Sequence, residues 1–254
     1  MLFNLTKREL MIRYRGSVLG FLWTLLIPLF MALIYVGFLR LLAGRGVPLS
    51  EIIIGVFAWT YTVQCVNSGL NSITGNVNLV KKVALPRFIL PLASTMANTI
   101  NYLLSLIVQF PLIFFLERAT GGGFGVWWWA FPFVLVIQFC FNLAIALFLS
   151  ASNVYFRDTE HLVNVGLSAL FFMSPVMYNL AFVEGMSAKY PWFLDVYILN
   201  PVAVIMTGYR ALILEASSFP MIPSSLIAAI LCPVLLVIAY FSFQRVQRNF
   251  ADFL

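Results

Sequence analysis

The best cluster of chemically capable side chains in this sequence is the run from Arg157 through Asp158, Thr159 and Glu160 to His161, which holds two carboxylates and the single histidine. Such a group could serve as general acid and base on a headgroup-bound substrate. Its setting favours a plainer role. Asp158, Thr159 and Glu160 sit where a helix begins, and their oxygens complement unpaired N–H groups there. A lone histidine gives no basis for a histidine metal site. Cys65, Cys140 and Cys232 are odd in number and lie in apolar runs, so they read as small packing residues. The GGGFG stretch at 121–125 has no lysine and lacks phosphate-loop spacing, and no serine sits in a nucleophile-elbow pattern. No catalytic residue and no metal site is assigned, and the chain reads as carrying no engine of its own.

A second kind of chemistry is offered by Lys7, Arg8, Arg13 and Arg15, gathered at the edge of the first apolar run. Basic residues there anchor a span to anionic lipid, at about 1 kcal/mol each. The segment is more than a charge cluster. At 100° per residue Phe3, Leu10 and Tyr14 form one apolar strip and Leu5 and Ile12 another, with Asn4, Arg8 and Arg15 between them. An interface helix over residues 1–15 is expected, wedged between headgroups, the bundle and a second protein.

The elements that must position these groups are membrane spans. Hydrophobic residues make up 62% of the chain and charged ones 9%, with a mean hydropathy of +0.98, more apolar surface than a soluble domain of this length can hide. The first apolar run is too long for a signal peptide and no small-residue cleavage site follows it, so the N-terminus is expected to be retained. Charge-free windows at 16–39, 52–80, 88–116, 119–156, 162–183 and 216–244 can each hold one helix of about 20–25 residues. The expectation is an all-α integral membrane protein forming a single domain with six spans, at residues 17–42, 52–74, 88–116, 127–152, 161–180 and 222–244. A further apolar stretch has only 14 uncharged residues between Asp195 and Arg210, too few to cross. Asn200–Pro201 in its middle is a helix-start signal. Residues 190–215 are therefore read as a re-entrant helix pair between the fifth and sixth spans. Six spans put ten Lys/Arg and four acids on one face, against five of each on the other. The positive-inside rule makes the first face cytoplasmic, with both termini and the 245–254 tail on it.

Charges within the spans are scarce, which argues against a proton- or ion-coupled carrier. Uncharged polar residues are present at near-helical spacing: Gln64, Asn67, Ser68 and Asn71, then Asn98, Asn101, Ser105 and Gln109. They read as interhelical hydrogen-bonding groups, or as one wall of a polar conduit. Gly16 and Gly20 form a small-xxx-small pair suited to close helix contact. Trp127–Trp129 reads as an interfacial belt.

With these residues in view, RELMIRYRGSVLGFLWTLLIPL near the start resembles the membrane subunits of type-two ABC exporters of polysaccharides, the Wzm-like permeases for O-antigen and their relatives for teichoic acid and capsule. Similar stretches are NLVKKVALPRFILPLASTMAN from Asn78, NVYFRDTEHLVNVGLSALFFMSPVMY from Asn153, LNPVAVIMTGYRALIL from Leu199 and the tail FQRVQRNFADFL. The resemblance implies a homodimer in the bacterial inner membrane, paired with two copies of a separate ATP-binding cassette subunit that holds ATP and Mg. It implies a coupling helix within 76–87, with Asn78, Leu79, Val80, Lys81, Lys82, Val83, Ala84, Leu85, Pro86 and Arg87 meeting that subunit. It makes Asn200, Pro201, Tyr209 and Arg210 part of an outer gate.

The cargo implied is a polyprenyl-diphosphate-linked polysaccharide, with membrane lipids as further partners and no nucleic acid. Arg13 and Arg15 become candidates for the lipid phosphate, since arginine forks suit phosphate oxygens. Tyr35, Trp59 and Tyr61 become candidates for a sugar-contacting girdle. Rival readings stay open: one is a lipid, drug or heme exporter of the same plan, and another is a membrane-embedded transferase using Asp158, Glu160 and His161. A passive structural membrane protein is a third.

Overall fold

The computed structural model describes the chain apart from residues 15, 18, 21, 42–46, 83, 84, 157, 188 and 254, and apart from the side chains of residues 39–41, 251 and 252. Every regular element described is helical. In chain order they are α1 (Leu2–Tyr14), α2 (Leu22–Leu41), α3 (Leu49–Leu70), α4 (Val77–Lys82), α5 (Ile89–Thr120), α6 (Phe131–Tyr155), α7 (Thr159–Phe172), α8 (Leu180–Ser187), α9 (Phe193–Ile198), α10 (Pro201–Ile213), α11 (Pro223–Val246) and α12 (Phe250–Phe253), with single 3-10 turns before α4, α6 and α12.

Among the described residues four helices are long and apolar enough to cross a membrane: α3, α5, α6 with its preceding turn, and α11. Helix α5 has 32 residues, about 48 Å at helical rise, more than the roughly 30 Å of hydrocarbon. The apolar stretches of α2 and α10 are shorter, Leu22–Phe38 and Pro201–Ile213. Helix α7, expected to run over 161–180, stops at Phe172 after 14 residues. Pro175 explains the stop, because proline disfavours helical backbone at the residue before it and brings no N–H.

Among the described residues three cores hold the bundle; the smallest gathers Leu180, Val183, Ile198, Val204 and Ala228, and two larger ones lie elsewhere. The largest joins α3 to α2, α5, α6, α7 and α10 around Ile52, Phe57, Cys65, Tyr102, Phe131 and Tyr209. The second lies where α4, the start of α5, the end of α6 and the end of α11 meet, around Ile73, Val80, Leu147, Phe243 and Phe250. Cys65 and Cys232 are buried and Cys140 is half-buried, all as free thiols.

Gly16 and Gly20 are not a helix-contact pair. Both have positive φ, 78° and 46°, in the turn between α1 and α2, and a Cβ at either would meet nothing within 4 Å. Their value there is conformational, since only glycine adopts these angles cheaply.

The GGGFG stretch acquires a role that its sequence did not disclose. Phe124 bridges Leu214 in antiparallel fashion. Gly125 N donates to Ile213 O at 2.9 Å, and Glu215 N donates to Gly123 O at 3.2 Å. The loop between α5 and α6 thereby clasps the end of α10.

Candidate functional site

Three groups of residues stand out, and the helices carry them to opposite ends of the bundle. At one end the segment after α3 presents α4. Asn78, Lys81, Lys82 and Pro86 are exposed, Leu79, Leu85 and Arg87 are half-buried, and Val80 is buried. Val80 belongs to the second core, with Leu79 and Leu85 packed on it. A rim of polar and basic groups is thus mounted on an apolar root. Val83 and Ala84 lie outside the described residues.

Beside this end α1 packs against α5, and two of its arginines reach toward α3 and the turn that follows it. Arg8 donates to Asn76 Oδ1 at 3.0 Å, and Arg13 donates to Gln64 Oε1 at 3.3 Å. Arg13, Asn67 and Asn71 are exposed, so a polar strip climbs α3 from its end to Gln64 with arginine beside it. Arg15 lies outside the described residues. The outward face of α1 mixes Phe3, Met11 and Ile12 with Lys7, Arg8 and Arg13 rather than separating them.

The polar residues of α5 face inward. Asn98, Asn101, Ser105 and Gln109 are all buried. Asn98 donates to Ser68 Oγ at 2.6 Å and to Gln64 O at 3.3 Å, joining α5 to α3. Of the aromatic candidates, Tyr35 and Trp59 converge on one ring. Phe171 of α7 lies 5.7 Å from Tyr35 and 5.6 Å from Trp59, linking α2, α3 and α7. Tyr61 does not join them. It is 2% exposed, stacks on Tyr102 at 4.8 Å and shares a hydrogen bond with Thr99. Its ring is committed to the inside of the chain, so a channel-facing role for it is withdrawn.

At the opposite end the gate candidates form a connected set. Asn200 caps α10 by accepting from Val202 N at 3.0 Å, with Pro201 as first helical residue. The other end of its amide donates to Ser174 Oγ at 2.9 Å, tying the cap to the turn after α7. Tyr209 donates to Gln138 Oε1 at 2.8 Å, and Gln138 in turn donates to Ala58 O at 2.9 Å.

Arg210, counted with the charges of the outer face, is 3% exposed. Its guanidinium donates to the carbonyls of Glu51 at 3.0 Å, Tyr178 at 2.7 Å and Val176 at 3.1 Å. One side chain therefore joins α10, the start of α3 and the α7–α8 connection. Beside it is a cavity of about 110 Å³ lined by Glu51, Asn179, Glu184, Thr207 and Ser217, among others.

The Asp158–His161 group does not form a reaction centre. Asp158, Glu160 and His161 are exposed at the start of α7. Asp158 makes no side-chain cap bond, and its carbonyl accepts from His161 N and Leu162 N instead. Among the described residues no three His, Cys, Asp or Glu side chains gather to hold a metal ion.

Against known proteins, the profile of the ABC-2 type transporter family matches residues 2–214. An "O-antigen export system permease protein RfbA" from Myxococcus xanthus is 34% identical over 258 aligned residues, covering 99% of this chain and 94% of that protein. A protein of the same name from Klebsiella pneumoniae is 26% identical, covering 98% of this chain and 93% of its own length.

Proposed function

The chain belongs to the ABC-2 type transporter family, and on that premise we propose that it is the permease subunit of an ATP-driven exporter of lipid-linked polysaccharide, O-antigen first among such cargoes. The observation that carries the coupling part of this reading is the exposed rim of Asn78, Lys81, Lys82 and Pro86 on a buried root. A partner that binds and hydrolyses ATP with Mg must push on something that does not yield, and α4 is mounted that way.

Two copies of this chain would pair with two ATP-binding subunits. Helix α2, and the stretch from Thr159 through α7 and the turn after it to Tyr178, would complete a six-span arrangement in the bacterial inner membrane, α9 and α10 would dip in and return, and both termini would face the cytoplasm with the basic end. A second copy is supported by α7. Its outward face places Asn164 and Ser168 among Leu162 and Val165, all exposed. Polar groups on a spanning helix are unfavourable against lipid and acceptable against protein or a wet path. The polymer would pass between the copies. Its diphosphate would enter beside Arg13 and the α3 strip, with Arg15 adjoining in sequence, and the half-buried Tyr35 would offer a ring face to sugars, whereas Trp59, buried in the core, would only back it through Phe171.

The test is mild purification of the tagged chain from its host, followed by identification of co-purifying proteins and an ATP hydrolysis assay. A stoichiometric ATP-binding subunit is expected, and Lys81→Glu with Lys82→Glu is expected to release it. A chain that purifies alone under conditions preserving known transporter complexes overturns the reading. Separately, Arg13→Ala should lower polymer export while leaving co-purification unchanged; unaltered export removes Arg13 from the substrate path.

A further inference from the structure

The segment from Gln247 to Phe253 has no part in the function proposed above, yet it is fastened to the coupling segment. Arg87 donates NH1 to the carbonyl of Gln247, and its guanidinium carbon lies 5.9 Å from the centroid of the Phe250 ring. Phe250 is fully buried. It meets Phe243 of α11 edge-on at 5.6 Å and Tyr155 of α6 at 6.0 Å. Tyr155 closes the nest by donating to Val246 O at 3.1 Å and packing on Phe253 at 4.6 Å. The same core holds Val80, with Leu79, Leu85 and Leu5 against it.

We propose that Phe250 is a positioning residue for energy coupling: its ring, set under Arg87, braces the coupling segment against α6 and α11. The proposal rests on the reading that residues 78–87 meet an ATP-binding subunit. Helix α4 has six residues and a single buried one, so it cannot fix its own direction. A push on Lys81 and Lys82 reaches the long helices only if the root is rigid. The brace supplies that rigidity through a cation–ring contact and a charge-assisted hydrogen bond at Arg87, both shielded by aromatic neighbours. Removal of the ring leaves α4 free to tilt, and partner motion is then spent on tilting rather than on the spans.

The experiment uses the full complex, co-expressed with its ATP-binding subunit, and compares export per ATP hydrolysed. Phe250→Ala is expected to keep co-purification and basal hydrolysis while lowering that ratio by roughly twofold to thirtyfold, the range by which such residues modulate coupling. Phe250→Tyr, which keeps the ring, is expected to restore the ratio, and Arg87→Met to lower it. Should Phe250→Ala fail to accumulate, the contrast between Arg87→Met and Phe250→Tyr decides. A wild-type ratio in Arg87→Met, or in an accumulating Phe250→Ala, overturns the brace while leaving the permease reading intact. A wild-type chain that never binds an ATP-binding subunit overturns both, so the two failures are distinct.

Discussion

At the scale of single residues, Arg210 departs furthest from what its sequence setting suggests. It sits in an apolar helix near a loop, where charge counting places it at a surface. Its five N–H donors in a planar fork suit it instead to several carbonyls at once, and three are supplied by segments far apart in sequence. Gly55 makes room for this. A Cβ at position 55 would stand 2.8 Å from the arginine's NH2 and closer still to the carbonyl of Val176. Gly55→Ala should therefore cost about 1–3 kcal/mol through overpacking, seen as a lower thermal midpoint by tryptophan fluorescence of the protein in detergent. Arg210→Met should cost a similar amount or more, since each stranded carbonyl carries about 1–3 kcal/mol. Lys189→Met, at an exposed site, is the control expected to leave the midpoint unmoved. Arg210→Lys tests the fork itself: a point charge cannot span three acceptors, so it should rescue little.

At the scale of elements, legibility follows the range of the interaction that sets each feature. The start of α10 is visible in the sequence because Asn200 caps locally and Pro201 fits the first turn, whatever surrounds them. The polar ladder on α5 is visible by spacing alone. Gly16 and Gly20 mislead because turn glycines and helix-contact glycines have the same spacing, and only φ separates them. Tyr61 misleads because α3 is buried on nearly every face around it, so its own sequence does not say which neighbour each ring meets. The stop of α7 before Pro175 is local, and the proline marks it in the sequence. Partners across the chain, such as Phe250 for Arg87 or Leu214 for Phe124, leave no local trace at all. The Asn200 amide tests the split between local and distant contacts. Asn200→Ala should destabilise by about 1 kcal/mol for the lost cap, plus the bond to Ser174. Ser174→Ala removes the acceptor of that amide bond and leaves the cap in place. It should lower the thermal midpoint by less than Asn200→Ala does, and an unmoved midpoint would mean that the tie to the turn after α7 contributes nothing.

At the scale of the whole molecule, two asymmetries have to agree. The end that presents α4 also holds Lys7, Arg8, Arg13, Arg87, Arg245 and Arg248, whereas the end that presents Arg210 gathers Glu51, Glu117, Glu184 and Glu215. On the proposed reading the positive-inside rule would put the first end in the cytoplasm, where an ATP-consuming partner would be met. The lateral asymmetry is the polar strip of α7, with Asn164 and Ser168 exposed, which on the proposed reading would face a second copy. Both can be read with single cysteines. Asn78→Cys should resist a membrane-impermeant maleimide in intact spheroplasts and react once the membrane is opened, while Gly122→Cys, on the opposite end, should react at once. Ser168→Cys should form a covalent dimer with a short bis-maleimide in native membranes, whereas Ile107→Cys, equally exposed on α5, should not. Reversed labelling at positions 78 and 122 would place α4 where no ATP exists and end the coupling scheme. Correct labelling with no dimer at 168 would leave the coupling face standing and move the transport path from between two copies to within one.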